Sequence, residues 1–222
     1  MPEIDANPPL YTLTEGARII GVTPSTLQNW ARGYTYKGVD GGQHPQEALV
    51  TTTGAGRGRV LPFVGLAESY VLKAFREAGV PMQRIRPALK RLEKDLDLHT
   101  ALASEQLMTD GAEVLWDFGK HEDPELGNQL VVVRNGQAVF REVVQQYLST
   151  ITYRDGAVAL IRLPQFAPEV VVDPSRNYGQ PTLAARGIRV ADVRARLEAG
   201  EPAADVATDY RLALSDVAAL AA

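Results

Sequence analysis

The sequence predicts an α+β chain built as an N-terminal winged helix-turn-helix, a small central antiparallel β region and a C-terminal three-helix unit. Three observations carry this. Two short helical stretches within 12–32, each with its own start signal, are separated only by Gly21-Val22-Thr23. Asp-Gly and Asn-Gly pairs flanked by apolar, largely β-branched runs punctuate the middle of the chain. Helical periodicity returns after Pro174. The expected divisions are 1–100, 101–172 and 173–222, and 222 residues at 45% hydrophobic content suit two or three small domains.

In the first helix Leu13, Ala17 and Ile20 share a face, and Thr12 followed by Glu15 has capping-box spacing. Gly21 stops it. Thr23-Pro24 then opens a second helix that runs to about Arg32, the threonine acting as cap and the proline surrendering a donor that had no partner. Ala17, Ile20, Val22, Leu27 and Trp30 form the shared core. The opposite face carries Ser25, Thr26, Gln28, Asn29 and Arg32, hydroxyl, amide and guanidinium side chains able to bond base edges or phosphates. A merely solvated face is the alternative, and the elements that follow favour DNA.

After a polar, glycine-rich loop at 33–47, Ala48–Thr52 and Arg59–Leu61 bracket Gly54-Ala55-Gly56-Arg57-Gly58, which reads as a hairpin with a basic tip. A dinucleotide fingerprint would need glycine where Arg59 stands, and no Lys-Ser/Thr pair follows as in a P-loop. The hairpin is therefore read as a wing, with Arg57 and Arg59 placed to reach phosphates or a minor groove. Next, Phe63, Leu66, Ala67, Tyr70, Val71, Ala74 and Phe75 mark one stripe of a helix that Gly79 ends. Pro81 opens another, with Ile85, Ala88, Leu89, Leu92 and Leu96 inward and most of a basic cluster outward.

The formal charge of −4 conceals a polarity along the chain. Residues 1–98 hold 12 basic and 10 acidic side chains, whereas 99–222 hold 11 and 17. Within 57–94, nine basic residues face only Glu68, Glu77 and Glu93, which suits a polyanionic partner. The absence of cysteine excludes disulfide scaffolds, thiolate zinc sites, iron–sulfur clusters and cysteine nucleophiles. No apolar run nears the roughly 20 residues of a membrane span, and the N-terminus lacks a signal-peptide pattern, so the expected location is the cytoplasm, with no membrane partner.

The stretch YTLTEGARIIGVTPSTLQNW, the wing and LPFVGLAESYVLKAFREAGVPMQRIRPALKRL together resemble the MerR-like winged-helix family over about the first 100 residues. The chain departs from metal- and drug-sensing members in having no cysteine and no long coiled coil after Leu96. The resemblance implies that Ser25, Thr26, Gln28, Asn29 and Arg32 lie on the groove-facing helix and Arg57 and Arg59 in the wing.

In the middle stretch, Asp110-Gly111, Asn135-Gly136 and Asp155-Gly156 predict hairpin turns, and 141–148 a helix packed on the resulting sheet. Beyond Pro174, Val190, Val193 and Leu197 mark a helix ending at Gly200; Pro202 opens one with Val206, Ala207 and Tyr210; Ser215 is read as the cap of a last one with Val217 and Leu220. The run from Asp173 to Leu220, with its Asp-Pro, Gly-x-Pro, Ala-Gly-Glu and Asp-Tyr landmarks, is similar to a small domain family of antitoxin-like proteins. That likeness implies a homeodomain-like three-helix fold. The last helix is rich in alanine and offers little to phosphates or base edges, so a protein partner or a dimer seam suits it better.

The two resemblances in one chain are similar to a VapB-type antitoxin of a type II toxin–antitoxin pair. They imply operator DNA and a VapC-like PIN-domain ribonuclease toxin as partners, with any metal belonging to the toxin. A palindromic operator would further imply a homodimer. A stand-alone regulator answering to a small molecule is the other binding reading. Enzyme chemistry is disfavoured, because His44, His99 and His121 are isolated and no nucleophile motif or paired carboxylates stand out. No catalytic residue, cofactor or metal ligand is therefore assigned; Asp117, Glu122, Asp123 and Glu125 near His121 read as a solvated acidic loop.

Overall fold

A computed structural model describes residues 8–38, 41–56, 58–77, 82, 86–87, 89, 101–103 and 146–221. The fold is α+β and divides into two compact units, Met1–Ser149 with Tyr153–Val158, and Thr150–Thr152 with Ala159–Ala222. Among the described residues no helix is long and apolar enough to cross a membrane.

In the first unit, strand β1 (Pro9–Tyr11) leads into helix α1 (Leu13–Ile20). The capping box forms as the sequence predicts: Glu15 N–H donates to Thr12 Oγ1 at 3.1 Å, and Thr12 N–H donates to the Glu15 carboxylate at 2.8 Å. Gly21, at φ +74°, turns the chain in the left-handed conformation that glycine adopts without a steric penalty. Helix α2 (Pro24–Arg32) follows, with Thr23 Oγ1 accepting the Thr26 N–H at 3.2 Å. Of the expected shared core, Ala17, Ile20, Leu27 and Trp30 are buried, and Val22 is half-buried.

Residues 33–47, expected to form a loop, instead hold strands β2 (Tyr34–Lys37) and β3 (Gln43–Gln46), paired antiparallel with Tyr34 opposite Gln46 and Lys37 opposite Gln43. The hairpin lies in the open, so no buried face imposes apolar alternation on its sequence. The wing also differs from a regular two-stranded hairpin. The Thr53 N–H and hydroxyl both donate to the Val60 carbonyl, at 2.9 and 3.3 Å, and close its base, and Leu61 and Pro62 form β4, which pairs antiparallel with β1.

Helix α3 (Phe63–Glu77) is the centre of this unit. The predicted stripe from Phe63 to Phe75 is buried throughout, and Glu68, Ser69 and Leu72 on the other side are buried as well. Fully burying one large apolar side chain contributes about 1.5–3 kcal/mol, so Leu66, Tyr70, Leu72 and Phe75 dominate this core. Residues 86, 87 and 89 are helical, with Leu89 buried as expected. Gly79, Ile85, Ala88, Leu92, Leu96 and the Asp110-Gly111 and Asn135-Gly136 turns lie outside the described residues. Of the helix expected over 141–148, residues 146–148 are helical and Leu148 is buried.

An antiparallel sheet, whose residues apart from Tyr153–Val158 belong to the second unit, has the order β5 (Ile151–Arg154), β6 (Ala157–Arg162), β7 (Val170–Val172), β8 (Thr182–Leu183), β9 (Ile188–Arg189). Its register sets Ile161 opposite Val172, Val170 opposite Leu183 and Thr182 opposite Arg189. Asp155 and Gly156, at φ +54° and +76°, make the predicted tight turn. The sheet crosses the expected division at 172/173, because β8 and β9 are two residues each and too short to show periodicity.

Three helices complete the unit: α4 (Val190–Glu198), α5 (Ala203–Tyr210) and α6 (Leu214–Ala221), packed through Val190, Val193, Val206, Ala207, Val217 and Leu220. Ser215 is not the cap of α6. The helix begins one residue earlier, with the Ala213 carbonyl accepting the N–H groups of Asp216 and Val217. Between β7 and β8 the chain makes a left-handed turn at Asn177, Tyr178 and Gly179 (φ +48°, +53° and +71°), held by Asn177 Nδ2 donating to Thr182 Oγ1 at 3.0 Å and the Gly187 carbonyl at 2.9 Å. Tyr178 stands 81% exposed at its apex.

Candidate nucleic-acid interface

The 3.6-residue period of α2 divides its side chains cleanly. Leu27, Trp30 and Ala31 face the core, while Ser25, Gln28, Asn29 and Arg32 are exposed and Thr26 is half-buried. Thr23, Ser25 and Thr26 hydroxyls cluster at the N-terminal turn, with Thr23 Oγ1 lying 3.0 Å from Ser25 Oγ and 2.9 Å from Thr26 Oγ1. Hydroxyls and unpaired N–H groups at a helix N-terminus form a favourable environment for phosphate oxygens.

The wing is tied to both α2 and α3. From α2, Arg32 Nη2 donates to the Gly56 carbonyl at 2.8 Å, so this guanidinium, read from sequence as a DNA contact, also holds the wing. The α2 end is linked to the chain before the wing through the Trp30 carbonyl, which accepts the Leu49 and Val50 N–H groups at 2.7 and 3.2 Å. From α3, the buried Glu68 carboxylate accepts the Thr51 N–H at 2.6 Å and the Thr51 hydroxyl at 3.0 Å. Gly65 faces the same segment so closely that a Cβ there would collide with the Thr51 carbonyl and sit 2.8 Å from Leu61 Cδ1. Arg59 is exposed in the wing, and Arg57 lies outside the described residues.

Three features escaped sequence reading. Glu68 counts there only as one acid in a basic segment, although its place as the one charged residue between Phe63 and Leu72 was a usable signal. The β2–β3 hairpin follows directly from α2 and carries Tyr36 stacked on His44, ring centroids 5.3 Å apart, with Lys37 exposed beside them. Arg76, at the end of α3, donates through Nη1 to Thr26 Oγ1 at 3.1 Å, which places a cation against the predicted groove-facing helix. Arg86 departs from the expected outward basic face: it is buried, donates to the Glu47 carbonyl, and its guanidinium carbon lies 5.7 Å from the Tyr34 ring centroid.

The second unit uses its cations differently. Arg186 and Arg194 donate to the carbonyls of Arg211 and Leu220 at 3.2 and 3.0 Å. Arg189 forms a fork with Asp192, and Arg196 binds Glu201 and Asp209. These arginines bind carbonyls and carboxylates within the same unit.

Comparison with known proteins follows this division. A family model described as "Putative DNA-binding HTH domain" matches residues 9–89, and one described as a protein of unknown function, DUF433, matches 170–222. The chain is 46% identical over 217 residues to "Putative antitoxin VapB45" of Mycobacterium tuberculosis, an alignment covering 94% of this chain and 90% of that one. It is 30% identical over 218 residues to the protein Rv2308 of the same organism, covering 94% and 87%. Its fold is similar to the crystal structure of Rv2018 from Mycobacterium tuberculosis, with a TM-score of 0.79, 43% identity and coverage of 96% and 97%.

Proposed function

This chain belongs to the family of the mycobacterial protein VapB45 and carries that family's helix-turn-helix domain, and from this we propose that it is an antitoxin that represses its own operon. In this reading α2 enters the major groove of operator DNA, the wing contacts the flanking backbone, and another surface neutralises a VapC-like PIN-domain ribonuclease. The observation that carries the DNA part is the split face of α2: Ser25, Gln28 and Asn29 project into solvent, while Leu27 and Trp30 fix the helix from behind. Arg59 in the wing supplies charge without sequence preference, and Arg57 has the same role.

Toxin binding is assigned to the C-terminal half. Its net acidity complements a basic partner surface, and Arg186, Arg189, Arg194 and Arg196 are engaged in internal bonds rather than presented to phosphates. The protein acts as a homodimer on a two-fold operator in the cytoplasm.

Binding of the chain to its own promoter tests the DNA part. Asn29→Ala weakens binding by about 1–3 kcal/mol for a base-specific contact, whereas Arg59→Ala lowers the log–log salt slope by roughly one for a phosphate contact. Unchanged affinity in both variants refutes this interface. Co-expression with the neighbouring gene product tests the antitoxin part: recovery of a ribonuclease whose activity the chain suppresses supports it, and failure to recover or inhibit one refutes it.

A further inference from the structure

A cleft of about 260 Å³ opens beside α2, and its wall includes Thr26, Asn29, Trp30, Tyr34, Arg76 and Arg86. We propose that this cleft is a binding site for a phosphoryl group, held by the Arg76 and Arg86 guanidinium groups with the Thr26 hydroxyl.

Arg86 carries the chemistry. It is 7% exposed, and its Nε and Nη2 are buried without a hydrogen-bond partner among the described residues. Its Nη1 is used by the Glu47 carbonyl, and the Tyr34 ring face lies against the guanidinium. Burial pushes its pKa down, partly offset by Tyr34 and Glu47, yet guanidinium remains protonated at physiological pH, so the buried group keeps its charge. A buried cation with two unpaired donors is strongly unfavourable unless an anion completes it. Arg76 is the second cation. Apart from its bond to Thr26 it has no partner among the described residues, and the nearby Glu77 is engaged by Lys73 and Tyr147.

The donor set selects the ligand class. One guanidinium fork satisfies the two oxygens of a carboxylate, whereas two guanidiniums and a hydroxyl match the three or four oxygens of a phosphoryl group. The cleft exceeds the size of a bare ion, leaving room for an esterified group against Trp30 and Tyr34. Because Arg86 Nε and Nη2 are shielded from solvent, the anion first meets Arg76 and Thr26 and reaches Arg86 through a rearrangement of the cleft wall. Two sources present this chemistry: a free phosphomonoester, or a backbone phosphate of DNA lying along α2. The second source rests on the proposed function; the first does not.

Calorimetric titration of the full chain with inorganic phosphate, in chloride buffer, tests the site together with operator binding measured across a salt series. Saturable phosphate binding is expected, weakened at least tenfold in Arg76→Gln, an exposed position, and in Arg86→Lys, which keeps the charge but loses the fork. If Arg76→Gln also lowers the operator salt slope by about one and phosphate competes with the duplex, a DNA phosphate occupies the cleft. If phosphate binds saturably while the operator slope is unchanged, the ligand is a free phosphoryl compound. A change in slope without free-phosphate binding also supports the site, with DNA as the source. No saturable phosphate binding together with an unchanged slope in Arg76→Gln overturns the proposal. A chain that binds no DNA refutes the operator reading, while the phosphate titration still decides the cleft.

Discussion

Replacing Glu68 by alanine tests whether the wing is held from α3. The carboxylate is 3% exposed and accepts two hydrogen bonds from Thr51, at 2.6 and 3.0 Å. Hydrogen bonds to a charged group contribute about 1.5–3 kcal/mol each, and the one lost methylene adds roughly 0.8 kcal/mol. Against this, the variant no longer buries a charge, a relief of several kcal/mol. The balance is a destabilisation of about 2–4 kcal/mol. Glu68→Gln, which keeps the shape and can accept the Thr51 N–H while donating to its hydroxyl, loses only about 1 kcal/mol. Denaturant unfolding of the full chain at constant m-value reads both changes. A Glu68→Gln/Thr51→Val double-mutant cycle then isolates the pair, with an expected coupling of roughly 0.5–3 kcal/mol. An alanine variant within about 0.5 kcal/mol of the unmodified chain, a shift no larger than that of an ordinary surface substitution, shows that this carboxylate does not anchor the wing.

Arg32→Ala separates two roles of one side chain. If the bond to Gly56 is its main work, affinity falls about equally for operator and unrelated DNA; a loss confined to operator assigns it to base reading instead, as gel-shift titrations on both duplexes resolve. Gly33→Ala destabilises the first unit by about 1–3 kcal/mol or more, because Gly33 sits at φ +71° and a Cβ there collides with the Gln46 carbonyl; an unchanged melting temperature refutes this. In the second unit the Arg196 guanidinium holds the Glu201 carboxyl below its usual range. A carboxyl depressed in the folded state stabilises it above the ordinary glutamate range, and that stabilisation is lost as pH falls through the depressed value. The melting temperature therefore falls on acidification below about pH 5, less steeply in Glu201→Gln; equal slopes in the two proteins show that the pair does not contribute.

The parts of the fold legible in the sequence are those whose signal is local. Thr12 with Glu15, and Thr23 with Pro24, announce helix starts because a cap depends on three or four consecutive residues. The stripe from Phe63 to Phe75 is long enough for its period to be read, and Asp155-Gly156 carries its own turn chemistry. What escaped depends on partners distant in the chain. β1 has three residues and exists because Leu61 and Pro62 lie beside it, and β2–β3 is too exposed to show apolar alternation. The candidate interface divides the same way. The exposed residues of α2 follow from helical period alone, whereas the bond from Arg32 to Gly56 spans 24 residues and that from Arg76 to Thr26 spans 50.

Those long-range bonds bear on how a slender wing can assist recognition. A loop closed at its base by the Thr53 N–H to Val60 carbonyl bond would lose considerable conformational entropy on meeting DNA. Here its tip is held by Arg32 from α2, and its first limb is held by Glu68 from α3. The two helices themselves share a core with α1 and β4, so the wing is positioned relative to the exposed side chains of α2 before any ligand arrives. Preorganisation of this kind strengthens binding by reducing what must be ordered, without adding a contact to DNA. Under the proposed function it also makes Arg32 and Glu68 matter to affinity for different reasons than Asn29: their loss loosens the frame, whereas the loss of Asn29 removes a proposed base contact from a frame that stays intact.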